Sequence, residues 1–157
     1  MGFLNSAAAG ALSGFVATAP MTAAMALLHR QLPGDEQHPL PPQQITGELL
    51  RQMGAQHKAR ERHQLLTWVS HFGFGTCAGL LYAPLGKWVK APAALKGTAF
   101  GLMVWATSYL GLLPATNLHQ PRQQPLRTHA LMVVAHLIWG ASLGCLMEHW
   151  GDPHSGE

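Results

Sequence analysis

THALMVVAHLIWGASLGCLM, residues 128–147, contains no Asp, Glu, Lys or Arg. Its length matches the about 20 helical residues needed to cross a bilayer's hydrocarbon core. Three further runs lack the same four residue types: 2–28, 64–86 and a shorter one at 97–114. All are rich in Ala, Leu, Gly and Val, without the apolar–polar alternation of membrane-barrel strands. The whole chain is 48% hydrophobic and only 11% charged, less than half the charged fraction of about 25% usual in soluble domains. The expectation is an all-α integral membrane bundle of four transmembrane helices, forming one domain over 1–157. Trp68, Tyr82, Trp88 and Trp150 fall near the predicted helix ends, where amphipathic rings favour the headgroup layer. Cys77 and Cys145 lie inside apolar runs and read as small packing residues rather than a disulfide.

The first run has a competing reading as a cleaved signal peptide. That would require a basic segment ahead of it, and Met1-Gly2-Phe3-Leu4-Asn5 has none. The run reads as a span, with Pro20 predicted to kink it by removing one backbone hydrogen bond. Each of the four runs carries one GxxxG pair: Gly10/Gly14, Gly75/Gly79, Gly97/Gly101 and Gly140/Gly144. Two glycines one turn apart form a groove that admits a neighbouring backbone. The neighbour is either another helix of this chain or a second copy of the protein.

The run at 128–147 also has an internal counterpart. A shift of 65 aligns Arg62 with Arg127, His71 with His136, Phe74 with Trp139, Gly75 with Gly140 and Gly79 with Gly144. Upstream, a shift of 81 aligns Leu32-Pro33 with Leu113-Pro114, His38 with His119 and Gln43 with Gln124. The spacing indicates a two-fold αα-hairpin repeat, with halves at about 1–86 and 95–150. Helices one and three align poorly beyond their glycines and the following Leu-Pro. Two spans per half make the halves parallel, so their symmetry axis lies along the membrane normal, unlike the inverted repeats of many transporters. The change of shift leaves 16 extra residues in the first half. Ile45, Leu49, Leu50 and Met53 form an apolar stripe there, after Pro41-Pro42 and before the basic run 58–62. This reads as an interfacial amphipathic helix at about 43–62; a solvated polar loop is the alternative.

Basic residues sit between the apolar runs, and the formal net charge is only +3. That pattern suits a membrane surface and not a nucleic acid, which would want a basic stripe on a folded face. Seven basic residues in the first and third loops against three lysines in the middle one favour cytoplasmic first and third loops, with both termini outside.

The segments Gly14-Phe-Val-Ala-Thr-Ala-Pro-Met-Thr-Ala-Ala-Met25 and His71-Phe-Gly-Phe-Gly-Thr-Cys-Ala-Gly-Leu-Leu-Tyr82 resemble the bacterial YagU-like inner-membrane proteins, a family of unknown function. The stretches around Leu113-Pro114 and Ala135-His136-Leu-Ile-Trp-Gly140 are similar to them too. The resemblance implies a multi-pass protein of the bacterial inner membrane and supplies no catalytic residue.

Ten histidines stand in the chain. His71 and His136 are the pair of interest, because each lies inside an apolar run, nine residues after its matching arginine. Parallel helices would place both imidazoles at similar depth. Together they offer a cofactor site for haem iron, or for a transition metal with further ligands; a proton relay is another use. The leading reading of the pair is structural: each imidazole hydrogen-bonds to a neighbouring helix and fixes its rotation. His38 and His119 follow matching Leu-Pro pairs and read as interfacial turn residues, while His149 and His154 show no coherent spacing.

The chain holds no P-loop, dinucleotide fingerprint or CxxC. No acidic residue lies in any of the four runs, so an intramembrane carboxylate pair is not expected, and nothing points to an enzyme. Three classes remain. The leading one is a structural or accessory membrane component that packs or self-associates through its glycine faces, as a homo-oligomer or within a larger complex. The others are a haem- or metal-binding protein using His71 and His136, and a small transporter or channel.

Overall fold

The computed structural model describes residues 3–54, 60–116 and 125–151, and among them it is all-helical, without strands. Helix α1 (Phe3–His29) leads through a 3-10 turn (Gly34–Glu36) to α2 (Pro41–Gln52). Helix α3 (Arg60–Trp88) is followed by α4 (Ala93–Ala106), which passes into a π-helical stretch (Thr107–Leu112) and the short α5 (Leu113–Thr116). Helix α6 (Leu126–Gly151) closes the described chain.

Two of these helices, over Asn5–His29 and Leu126–Trp150, are long and apolar enough to cross a membrane. The other two expected spans fall short for different reasons. Helix α3 has the length, but Gln64, Thr67, Ser70, His71 and Thr76 dilute its apolarity. Helix α4 is strongly apolar but stops at 14 residues, where its hydrogen-bond ladder widens to π.

The packing follows from the glycines. Helix α1 lies antiparallel against α3, with Gly10 at Gly79 and Gly14 at Gly75. Helix α4 lies antiparallel against α6, where Gly97 and Gly101 meet Gly140, and Gly97 also meets Gly144. A Cβ on Gly14 would sit 2.9 Å from the Gly79 Cα, and one on Gly140 would sit 3.1 Å from the Gly101 Cα. These are backbone-on-backbone contacts, and a methyl group on either side would force the helices apart. The two pairs join through an extensive α1–α6 interface, whereas α3 and α4 touch only sparingly.

Between the pairs the core is built from Ala17, Met21, Met25, Ala135, Trp139 and Leu143, with Tyr82 and Phe100 bridging α3 to α4. The Tyr82 and Phe100 rings lie 5.2 Å apart, and Phe100 continues to Trp139 at 6.1 Å. Trp139 Nε1–H donates to the Gly14 carbonyl at 3.3 Å, and Thr18 Oγ1–H donates to the same oxygen at 2.8 Å. Trp139→Phe should therefore cost only about 0.5–1.5 kcal/mol, because the carbonyl keeps its other donor. A small drop in apparent melting temperature would check this. A collapse of the fold would show that the ring's shape, not its hydrogen bond, matters.

Several sequence expectations change. Tyr82 is 3% exposed and sits in the core, because its ring fills the gap beside Phe100; it is not a headgroup-belt residue. Cys77 and Cys145 are unbonded and exposed, not packed inside, since the glycine faces of α3 and α6 turn inward and carry the cysteines out. Pro41-Pro42, expected to precede the amphipathic helix, form its first turn, where proline is tolerated. Helix α2 ends at Gln52, and Arg60–Arg62 begin α3, so the interfacial helix is shorter than the expected 43–62; residues 55–59 lie outside the described ones. Pro20, where a kink is expected, lies inside α1.

Candidate ligand site between the helices

The sparse α3–α4 contact leaves a cavity of about 260 Å³ in the middle of the molecule. Its wall takes Thr18 and Met21 from α1, His71 and Phe74 from α3, and Met132, His136 and Trp139 from α6. Helix α2 covers one side with Pro41, Pro42, Ile45 and Thr46. Val104 closes another side, together with Ser108 and Tyr109 from the π-helical stretch. A π turn swings successive side chains out of α-helical register, and such insertions recur at functional sites.

His71 and His136 thus line one cavity, although they lie on helices that barely touch each other. Helix α6 fixes the His136 ring: Nδ1 sits 2.8 Å from the Met132 carbonyl one turn earlier. A carbonyl only accepts, so Nδ1 carries the proton, and Nε2 of the neutral ring keeps a lone pair. His136 is 7% exposed. His71 is more open, yet its Nε2 is buried and has no hydrogen-bond partner. Three wall hydroxyls already donate to backbone carbonyls: Thr18 to Gly14, Thr46 to Pro42 at 2.8 Å, and Ser70 to Leu66 at 2.7 Å. The ring nitrogens of His71 and His136 add the wall's nitrogen donors and acceptors.

Thr46 and Ser70 oxygens lie 3.3 Å apart beside the cavity, so either hydroxyl, turned from its own helix's carbonyl, ties α2 to α3. Thr46→Val should loosen this lid by about 0.5–1.5 kcal/mol. Faster amide exchange confined to α2 would register it, and unchanged exchange would show that Pro41 packing alone holds the lid. On the outer face of α2, Arg51 donates to Glu48 and holds that carboxyl below its ordinary range.

The remaining sequence candidates lie elsewhere. The eight glycines Gly10, Gly14, Gly75, Gly79, Gly97, Gly101, Gly140 and Gly144 form the two helix contacts, and Gly75 alone of them also borders the cavity. His38 is exposed, and its carbonyl accepts a 2.8 Å hydrogen bond from His29 Nε2. His119 and His154 fall outside the described residues. Among the described residues, no three His, Cys, Asp or Glu side chains come together to hold a metal ion. Sequence reasoning missed Ser108, Tyr109 and the Pro41–Thr46 wall; the Thr107–Leu112 segment carries no local signal for a π turn.

An all-helical protein, glycine-packed in two antiparallel pairs around a histidine-lined cavity, is the class that these features define. The chain belongs to a family of unknown function, DUF6789, whose model matches residues 4–156. No curated protein and no solved structure matches it.

Proposed function

We propose that this chain is a four-span membrane protein that holds a small, largely apolar ligand between His71 and His136, serving as a binding component and not as an enzyme. The observation that carries this reading is the shared cavity with its two under-used imidazoles. A buried polar atom without a partner is uncommon in native structures and calls for an explanation. A volume of about 260 Å³ lies just under the about 300–1,000 Å³ of small-molecule pockets.

Exposed side chains support the membrane part. Leu65, Val69 and Leu81 on α3, Leu95 on α4 and Leu110 beyond it are each at least 60% exposed. In water such a girdle would drive aggregation; in hydrocarbon it is the normal outer surface. It includes α3 and α4, the first short of a span by composition and the second by length. The Arg127–Glu36 pair, 4.0 Å apart, joins the start of α6 to the first connection. That fits the first and third connections on one membrane face, cytoplasmic by the positive-inside rule. The YagU-like resemblance adds the bacterial inner membrane as the setting.

The two-fold repeat supports the site as well. The residues aligned by the repeat, His71/His136 and Phe74/Trp139, all border the cavity, which supports reading it as a site shared by the two halves. The glycine faces are occupied within the chain, so self-association would have to use another surface. The accessory role therefore rests on the cavity and not on the glycines.

The test is organic extraction and mass spectrometry of the purified protein, with an absorption spectrum and metal analysis of the same sample. A small apolar molecule near one per chain, lost in a folded His71→Ala/His136→Ala variant, is the expected result. Identical content in both proteins would overturn the binding role. A Soret band or near-stoichiometric metal lost in the variant would put the haem or metal reading in its place.

A further inference from the structure

We infer that the ligand is a membrane-soluble amphiphile with a hydroxyl head, admitted sideways from the lipid past Ser70 and Phe74 on α3. This rests on the binding role proposed above and names the chemistry of its ligand.

The mouth of the cavity decides the route. Most of the wall is buried, with Thr18, Met21, Tyr109, Met132 and Trp139 each at most 5% exposed. Ser70 and Phe74 are the exposed wall residues. They stand one turn apart on α3, and Phe74 is 47% exposed. Phe74 lies midway along the charge-free run 64–86, so this opening sits at the depth of the hydrocarbon core. An opening on the flank of a bundle at that depth faces acyl chains. It offers a route to molecules already dissolved in the bilayer and none to water-soluble solutes.

The imidazoles decide the head group. His136 Nε2 accepts, because its Nδ1 proton is committed to the Met132 carbonyl. A ligand carbonyl or ether, which only accepts, leaves that lone pair unmatched. A hydroxyl donates to His136 and still accepts from His71 if the buried Nε2 of that ring carries its proton. A single O–H group seated between the rings would satisfy both, while Met21, Met132 and Trp139 line the cavity around an apolar body. Thioether side chains adapt to irregular apolar shapes, which suits a chain or a flexible ring system.

Trp139 borders the cavity and provides the readout. The experiment uses full-length protein in nanodiscs with Trp68, Trp88, Trp105 and Trp150 replaced by Phe. The probes are a brominated long-chain alcohol and its methyl ether, whose bromine quenches the remaining tryptophan only at short range. The alcohol should quench saturably, with the ether about tenfold weaker. His136→Phe should erase this preference, and His136→Gln, which keeps an acceptor, should recover part of it. Ser70→Phe, at the mouth, should slow the onset of quenching without changing its final depth.

Equal saturable quenching by both probes, unchanged in His136→Phe, would overturn the hydroxyl assignment and leave the binding role intact. Quenching that rises linearly with probe content and never saturates would mean ordinary bilayer contact, and would overturn the inference. The extraction experiment then decides separately whether the binding role falls with it. An unchanged onset rate in Ser70→Phe would overturn the sideways route.

Discussion

Gly79→Ala should destabilise the protein by about 1–3 kcal/mol, and Gly79→Leu should prevent a stable fold. A Cβ at this position would lie 2.8 Å from the Gly14 Cα and 3.0 Å from its nitrogen. Both are backbone atoms of α1 and have no rotamer through which to yield. The helices must separate instead, which weakens the whole α1–α3 contact and the Trp139–Gly14 hydrogen bond beside it. Gly140→Ala should behave alike in the second pair, where the added atom would meet the Gly97 carbonyl carbon at 2.9 Å. Gly73 supplies the control. It lies on α3 with no neighbouring atom within 4 Å of a built Cβ. Gly73→Ala should be neutral or stabilising, since alanine favours helix over glycine by about 1 kcal/mol in water. Thermal unfolding of the three variants in one detergent is the comparison. Equal melting temperatures for Gly79→Ala and Gly73→Ala would show that the close approach carries no energy. In Gly14→Ala/Gly79→Ala the two losses should not add, because both substitutions open the same contact.

Cysteine labelling from the two membrane faces should place position 35 and position 90 on opposite sides. This follows from four spans, because α3 alone separates the first connection from the α3–α4 turn. The alternative is a chain in which only α1 and α6 cross. Both positions would then label from one side, since α3 would return without crossing. The experiment needs a background with Cys77 and Cys145 replaced by Ser, as both are exposed. Asp35→Cys and Lys90→Cys then each carry one reactive thiol. The effect is close to all-or-none: a membrane-impermeant reagent modifies one and spares the other in sealed vesicles. Position 35 should be cytoplasmic, given the excess of basic residues in the first and third connections. Labelling of both from one face would sink the four-span reading, and opposite labelling with position 35 outside would reverse only the orientation.

Helical class and the approximate helix boundaries were legible in the residues, because apolarity, charge exclusion and glycine spacing are properties of each segment alone. Residues 128–147 mark α6 without reference to any other part of the chain. The same holds for the four GxxxG pairs, which show that close approach is possible, and for His71 and His136, which stand out by their setting. Partner choice is not a property of a segment. Gly14 meets Gly75 and Gly79 instead of the glycines of α4, α6 or another copy because complementary surfaces bring those faces together, and only the folded chain contains that information. Burial shows the same division. Tyr82 and Cys77 have ordinary membrane-helix neighbours in sequence, yet one is in the core and the other outside, since rotation about the α3 axis is set by where its glycines dock. The cavity belongs wholly to the tertiary level. It arises because α1 and α6 pack closely while α3 and α4 stand apart, because a π turn redirects Ser108 and Tyr109, and because α2 folds over the gap.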